Sequence, residues 1–324
     1  MDIKVKKRLL WAIIISIGFM FFLLLRIEWE HFSLIAGRLD IKTLIAAYCV
    51  FILGNLVRTF RFYKLDHMDN KLTHWWNINA FYNFITSTLP GGAGEAVTAY
   101  VLKRFSKFNI LGAFRILLLS RFMDLLALSA LFFISAILIS DVTPYREAAI
   151  WLSGTLFLIS SVALLRSSEQ FALKLIQRLP GQNKLVQKVR EKLTELLKIA
   201  EEQRSNNFFY ITLIQSILMW IGSVAALYLA LKSFGIDFTP VQSAYCFGVY
   251  ALFQMVPVQG IAGIGTKAAW WALALTAAGY KAPDAVAMGI VLHATYYIFV
   301  TLLALFSLFF WFKGSGEKGS IAKT

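Results

Sequence analysis

Long apolar runs alternate with short polar segments along the chain. The run at residues 9–25 reads LLWAIIISIGFMFFLLL, and further runs of similar character follow it. A helix needs about 20 predominantly apolar residues to cross roughly 30 Å of hydrocarbon. The pattern therefore predicts full transmembrane spans near 9–26, 42–60, 111–140, 148–165, 208–231 and 284–312.

The composition indicates the same class of protein. Hydrophobic residues make up 58% of the chain and charged residues 15%, against about 45–50% and about 25% in soluble domains. The first run follows KVKKR, but it is too long for a signal peptide and lacks a small-residue cleavage site, so we predict a retained span. The net charge of +14 lies mostly in loops rather than in a basic soluble domain, which argues against a nucleic-acid partner.

The distribution of basic residues predicts the orientation. Lys and Arg number 23 of 32 in the proposed inside segments, which are 1–8, 58–74, 103–109, 166–204 and 313–324. The proposed outside segments hold five basic residues against seven acids, and these segments are 27–42, 141–147, 232–239 and 281–284. Because positive charge concentrates in cytoplasmic loops, both termini are expected in the cytoplasm.

The stretch TSTLPGGAGEA (86–96) interrupts an apolar region that both begins and ends on the inner side. Its first arm, 75–89, would be about 22 Å long as a helix, which is short of the roughly 30 Å that a span requires. We therefore predict a re-entrant hairpin with LPGGAG at its tip. Broken backbone at membrane depth is tolerated where protein buries it or where it lines a wet cavity, so the break predicts a cavity.

A second break lies in LFQMVPVQGIAGIGTKAAWW (252–271), whose flanking segments are both predicted outside. This hairpin would enter from the opposite face, with GIGT (263–266) as the counterpart of GAGE (92–95). Interrupted segments at matching places in two halves indicate an inverted-repeat transporter. The alternative is that these glycines only allow close helix packing. The predicted fold is an all-α polytopic membrane protein with about six full transmembrane helices and two re-entrant helical hairpins in an inverted repeat.

The domain organisation follows from these segments. We expect one integral membrane domain over 1–312, made of a first half (about 1–165) and a second half (about 206–312). An amphipathic cytoplasmic linker would join them over about 166–205, as in NKLVQKVREKLTELLKIAEEQR. The tail KGSGEKGSIAKT (313–324) is expected to be disordered.

Cofactor and metal motifs are not found in the sequence. The two cysteines lie far apart in apolar runs and the four histidines are scattered, so no zinc site or disulfide is indicated. We read His293 as a polar residue of helix packing. No phosphate-binding GxxxxGK motif is present, so transport would be passive, ion-coupled or driven by a partner. We therefore predict no cofactor, no metal and no catalytic residue.

Several charged residues fall inside the apolar regions. Arg121 and Asp124 are three residues apart, so they share a helical face and can pair. Such a pair would either tie helices together or serve a site. Glu95 and Lys267 each lie just past a hairpin tip, where helix N-termini would add positive potential suited to a phosphate.

Three stretches carry a family resemblance: VRTFRFYKL (57–65), LPGGAGEAVTAYVLKR (89–104) and SRFMDLLAL (120–128). They resemble the flippase-like membrane domain of lysylphosphatidylglycerol synthases, which are bacterial and archaeal proteins. The resemblance implies an integral plasma-membrane protein of a prokaryote that moves lipids between leaflets. Two positions depart from the family pattern: Thr266 and Lys267 stand where the family usually has a glutamate, and Ser120 precedes Arg121 in place of an acid. The soluble aminoacyl-transferase domain of the full-length synthases is absent from this sequence, which argues against lysyl transfer.

The sequence therefore favours a lipid flippase or scramblase-like transporter for an anionic or polyprenyl-linked lipid. Arg61, Arg121 and Lys267 would meet the headgroup, while Glu95 and Asp124 would position these cations. The alternatives are a membrane-embedded glycosyl- or acyl-group transferase that uses Glu95, and a non-catalytic partner in a cell-envelope synthesis complex; a homo-oligomer is also open. The candidate substrate-binding residues are Arg61, Pro90, Gly91, Gly92, Gly94, Glu95, Arg121, Asp124, Pro257, Gly260, Gly263, Gly265, Thr266 and Lys267.

Overall fold

The computed structural model describes residues 33–35, 37–65, 71–89, 97, 110–139, 145–163, 187, 208–254, 260–263 and 265–321. These residues form helices and connecting turns, with no strand among them. The predicted first span, nearly all of the predicted linker, and the LPGGAG tip beyond Leu89 lie outside the described residues. The helices are α1 (Ile41–Leu65), α2 (Leu72–Thr88), α3 (Ile110–Leu138), α4 (Arg146–Ala163), α5 (Phe208–Ser233), α6 (Pro240–Gln254), α7 (Thr266–Ala277) and α8 (Ala282–Ile321).

Four of these helices contain stretches long and apolar enough to cross a membrane, within the part of the chain that is described. The stretches are Ile41–Lys64, Ser120–Leu138, Tyr210–Ser233 and Asp284–Leu308. They match four of the six predicted spans and make the protein an all-α integral membrane protein. The predicted span at 148–165 is present as α4, but α4 has only 18 residues and carries Arg146 and Glu147 in its first turn.

Helix α8 is longer than the predicted span. It continues through Ile321 and so includes most of the segment that was expected to be a disordered tail. The sequence contains no proline between residues 284 and 321 that would end the helix.

Three connections lie together at one end of the helix bundle, which we call the loop end (residues 38–40, 233–239 and 278–281). The Asp40 backbone N–H donates to the Ser233 carbonyl at 2.7 Å, joining the start of α1 to the end of α5. The rings of Phe238 and Tyr280 meet edge to face with centroids 6.0 Å apart. The first two connections lie within segments that the sequence predicts outside, and the third ends at Lys281, where another predicted outside segment begins.

Asp40 caps α1 at the loop end. Its carboxylate accepts hydrogen bonds from the Lys42 backbone N–H at 3.0 Å and from the Thr43 hydroxyl. The Thr43 hydrogen bond is the main cause that holds the pKa of Asp40 below its usual range. The cap satisfies backbone donors that the first turn of a helix leaves without intrahelical partners.

Helices α6 and α7 are too short to span a membrane. Their 15 and 12 residues give lengths of about 22 Å and 18 Å. They share the loop end through Phe238 and Tyr280, and they are joined at their other ends across residues 255–265. A 3₁₀ turn at Ile261–Gly263 lies in this connection, where Ala262 and Gly263 have positive φ angles of 55° and 64°.

Helix α2 is also short, at 17 residues or about 25 Å. It ends at Thr88, after which Leu89 is extended. The end of α2 lies against the 3₁₀ turn and against Lys267 at the start of α7. The end of α2 and the inner ends of α6 and α7 therefore meet inside the bundle.

The two halves of the chain interlock. Helix α1 packs along α5, α2 packs on α8, and α6 packs on α3, so each of these pairs joins one helix from each half. Gly54 and Gly222 face each other where α1 crosses α5, and a Cβ on Gly222 would lie 3.6 Å from the Gly54 Cα. Small residues at such a crossing let the helix backbones approach closely.

Candidate functional site

A cavity of about 720 Å³ opens between the helices. Its walls come from all eight helices α1 to α8, so both halves of the chain contribute. Among the described lining residues are four cationic side chains and one carboxylate: Arg58, Arg61, Arg121, Lys267 and Asp124. The described lining therefore carries an excess of positive charge, which suits an anionic ligand.

Arg61 and Asp124 form the salt bridge of the cavity. The Arg61 Nη1 and Nη2 groups donate to Asp124 Oδ1 and Oδ2, the second at 3.2 Å, and Nη1 also donates to Ser216 Oγ at 2.7 Å. Arg61 is only 2% exposed. The three residues come from α1, α3 and α5, so the pair ties three helices together.

This pairing differs from the one expected within α3. Arg121, the expected partner of Asp124, donates from Nη2 to the Tyr82 hydroxyl at 2.5 Å. Arg61 reaches Asp124 from another helix with two nitrogens, and the planar guanidinium matches both carboxylate oxygens. The Asp124 charge is thus directed at Arg61, while Arg121 faces Tyr82 on α2.

Arg58 was missing from the predicted site. Its Nη1 donates to Asn83 Oδ1 at 2.9 Å, and Asn83 Nδ2 in turn donates to Asn55 Oδ1 at 2.8 Å. Asn79 joins the same network through Asn55 and Thr59. The basic residues of 58–74 predicted a cytoplasmic segment that overlaps the end of the predicted span, whereas α1 continues to Leu65 and Arg58 lines the cavity.

The sequence could have indicated this polar network through the helical spacing of its residues. Asn55 and Arg58 are three apart on α1, and Asn79 and Asn83 are four apart on α2, so each pair shares a helix face.

Lys267 is buried in the first turn of α7, with 4% exposure. Its aliphatic stem lies over Gly263, where an added Cβ would be 2.4 Å from Lys267 Cδ. The Nζ group donates to the Ser87 carbonyl at 3.4 Å, at the negative end of the α2 dipole. The structure shows no salt bridge from Lys267 to any carboxylate that it describes. The N-terminus of α7 adds positive potential beside this ammonium group.

The other candidates near Lys267 build the turn rather than the cavity wall. Thr266 is fully buried; its hydroxyl accepts from the Gly260 N–H and donates to the Gly263 carbonyl, both at 3.3 Å. Gly263 and Gly265 have positive φ angles of 64° and 79°, a conformation that favours glycine. The predicted site residues Pro90, Gly91, Gly92, Gly94, Glu95 and Pro257 lie outside the described residues.

Aromatic and apolar side chains complete the cavity. Tyr250 and Trp271 stack with centroids 3.6 Å apart at the inner ends of α6 and α7. Phe51, Phe132 and Phe299 also line it. A cavity lined by both charged and apolar side chains suits an amphiphilic ligand.

The fold defines an all-α integral membrane protein, and its helices enclose a cavity whose described charged residues are mostly cationic. The family model described as the lysylphosphatidylglycerol synthase TM region matches residues 9–304, nearly the whole chain. The chain therefore belongs to this family, as the motifs at 57–65, 89–104 and 120–128 predicted. The comparisons found no match among curated proteins and none among solved structures.

Proposed function

We propose that this protein moves an anionic lipid between membrane leaflets, as a flippase or scramblase-like transporter. The observation that carries the proposal is the cavity of about 720 Å³, whose described lining includes four cationic side chains and one carboxylate. Buried charges inside a membrane are costly, so they are usually paired or placed on a substrate path. An anionic headgroup, including the phosphate of a polyprenyl-linked lipid, would balance the excess charge.

We infer that the short helices α2, α6 and α7 belong to two re-entrant hairpins of an inverted repeat, which meet at the site. In this arrangement α6 and α7 form one hairpin that enters from the loop end. Helix α2 is the first arm of the other hairpin, which enters from the opposite face. The contact between Lys267 and Ser87 supports the arrangement, because it joins the inner ends of the two hairpins. Reciprocal packing of α2 on α8 and of α6 on α3 supports it further.

The side chains divide into two roles in this proposal. Arg58 and Lys267 hydrogen-bond to neutral groups at the cavity wall, Arg121 donates to the Tyr82 hydroxyl, and all three would meet the headgroup phosphate. Arg61, held by Asp124, would supply fixed positive potential. Aromatic walls would pack against the first part of the acyl or prenyl chain.

The test is a leaflet-resolved lipid assay with purified protein in vesicles. Fluorescent phosphatidylglycerol is reconstituted in both leaflets, and an impermeant reductant reports how fast the inner pool reaches the outside. The wild-type protein should accelerate the exchange. Lys267→Met should slow it by about tenfold or more, because a hydrogen bond to a charged group is worth about 1.5–3 kcal/mol.

Lys232→Met is the matched control, since Lys232 is exposed at the end of α5 and does not line the cavity. This variant should retain the wild-type rate. Wild-type exchange by a folded Lys267→Met protein would contradict the role of the cavity. Chemical conversion of the lipid during the assay would instead favour the transferase alternative.

A further inference from the structure

Two buried basic residues face each other where α7 packs on α8. Gly289 on α8 lies so close to α7 that an added Cβ would be 2.5 Å from the Ala268 carbonyl oxygen. The helices run in opposite directions, so His293, one turn beyond Gly289, lies opposite the first turn of α7, which holds Lys267. The Lys267 stem lies over Gly263, and the carbonyl of the preceding residue, Ala262, accepts a hydrogen bond from the His293 imidazole, which places the two basic groups on either side of the same turn.

His293 has an unused nitrogen. The side chain is 9% exposed, its imidazole hydrogen-bonds to the Ala262 carbonyl, and Nδ1 is buried without a hydrogen-bond partner among the described residues. A buried polar atom without a partner is rare in native structures and calls for an explanation. A lone pair on Nδ1 can accept a proton.

The surroundings of His293 supply a cation but no acid in the described part of the chain. Lys267 faces it from α7, and Tyr297 lies one turn away on α8 with ring centroids 6.3 Å apart. From α2, the nearby groups are the Ser87 carbonyl and the Thr88 hydroxyl, which lies 3.2 Å from the Tyr297 hydroxyl. The 3₁₀ turn adds the Ala262 carbonyl, and on the α1 side Tyr48 contacts Phe299 rather than His293.

Burial and mutual repulsion oppose two positive charges at this place. A proton on Nδ1 of His293 is therefore disfavoured while Lys267 is charged. We propose that Lys267 and His293 form a proton-binding pair that takes up one proton from solution when an anionic headgroup enters the cavity. This inference rests on the proposed function, because the headgroup supplies the negative charge that neutralises Lys267.

In this proposal one proton is bound when the headgroup enters and is released when it leaves. The headgroup phosphate pairs with the Lys267 ammonium, the local positive potential falls, and Nδ1 of His293 binds a proton from water. When the headgroup leaves, the same proton returns to water and no other bond changes. Lipid movement would then be linked to proton movement, and it would slow as the pH rises and protons become scarce.

The first measurement tests the pair without any lipid. The chain has four histidines, so ¹⁵N-histidine NMR of the full-length protein in detergent resolves few signals, and His293→Gln assigns the relevant one. In the wild type His293 should stay neutral to low pH. In Lys267→Met its titration midpoint should rise by about one pH unit or more, because a neighbouring like charge has been removed.

Lys232→Met controls for the loss of a lysine elsewhere and should leave the His293 midpoint unchanged. An equal midpoint in the wild type and in Lys267→Met would overturn the coupled pair.

The second measurement tests the link to the ligand. Calorimetric titration with dioctanoyl-phosphatidylglycerol in two buffers of different ionisation enthalpy reports binding and proton uptake together. At a pH between the His293 midpoints of the wild type and of Lys267→Met, we expect uptake of a large fraction of one proton per lipid bound, because the headgroup offsets the Lys267 charge. His293→Gln should bind the lipid without proton uptake, and dioctanoyl-phosphatidylcholine should cause no uptake.

The outcomes separate the two proposals. Binding of the anionic lipid without proton uptake contradicts the coupling and leaves the proposed transport standing. Absence of binding, together with no lipid exchange in vesicles, contradicts both the anionic substrate and the coupling built on it.

Discussion

At the scale of single residues, the Arg61–Asp124 pair shows how a buried charge is satisfied in this protein. Arg61 donates to both carboxylate oxygens of Asp124 and to Ser216, all inside the helix bundle. Both charged residues are buried, at 2% and 7% exposure. Removing one partner therefore leaves the other charge without compensation in a poorly solvated place.

We predict that Asp124→Asn destabilises the folded protein by about 3–5 kcal/mol, the usual cost of breaking a buried ion pair. The yield of monodisperse protein on size-exclusion chromatography and the thermal midpoint in detergent should both fall. The double variant Arg61→Met with Asp124→Asn should recover much of the loss, because no unpaired charge remains. An Asp124→Asn protein with wild-type yield and midpoint would show that the pair does not hold the fold.

At the scale of elements, two glycines at helix crossings differ in the space they leave for a larger side chain. A Cβ on Gly289 of α8 would lie 2.5 Å from the Ala268 carbonyl oxygen and 2.8 Å from the Ala272 nitrogen of α7. A Cβ on Gly54 of α1 would lie 3.7 Å from the Met219 carbonyl oxygen of α5, an ordinary contact. Backbone atoms cannot move aside as a flexible side chain can, so α7 and α8 would have to separate.

Gly289→Ala should therefore destabilise the protein by about 1–3 kcal/mol, as overpacking of a close contact does. Gly54→Ala is the matched control, because it makes the same change at another crossing and should keep the wild-type thermal midpoint. Since His293 and Lys267 face each other across the contact that Gly289 makes, Gly289→Ala should also alter the titration of His293. Equal thermal midpoints for the two variants would contradict the packing of α7 on α8.

At the scale of the whole molecule, the short helices α6 and α7 return the chain to the loop end without spanning the bilayer, in the arrangement we propose. Asp237 and Lys281 are exposed at that end, and Ala262 lies near the inner ends of the two helices. The depth of Ala262 separates a re-entrant hairpin from two full spans, which would carry Ala262 to the opposite surface.

Single cysteines in a background lacking Cys49 and Cys246 test this arrangement in sealed vesicles. Asp237→Cys and Lys281→Cys should react with an impermeant reagent from the same side. Ala262→Cys should react from neither side, because the inner end of the hairpin lies within the bundle. Labelling of Ala262→Cys from the side opposite to Asp237→Cys would rule out the re-entrant hairpin, and opposite sides for the two loop residues would rule out the topology.

The class of protein is determined by the sequence itself. Span length, apolar content and the Pro/Gly breaks are local properties, so they can be read without knowing which helices touch. The same holds for the family motifs, which predicted the membership that the match over residues 9–304 shows. Local patterns also predicted the break before α7, because a backbone with positive φ favours glycine and the glycines are visible in the sequence.

Only the tertiary structure decided which charges meet. Asp124 pairs with Arg61, 63 residues away, rather than with its expected partner Arg121 on the same helix. Lys267 donates to the Ser87 carbonyl 180 residues away, and Arg58 lines the cavity because α2 packs on that face of α1 and brings Asn83 to it. Such partnerships depend on how helices from the two halves pack. The free-energy cost of burying a charged side chain depends on the group that packs beside it. The periodicity of one helix does not identify that group when it belongs to another helix.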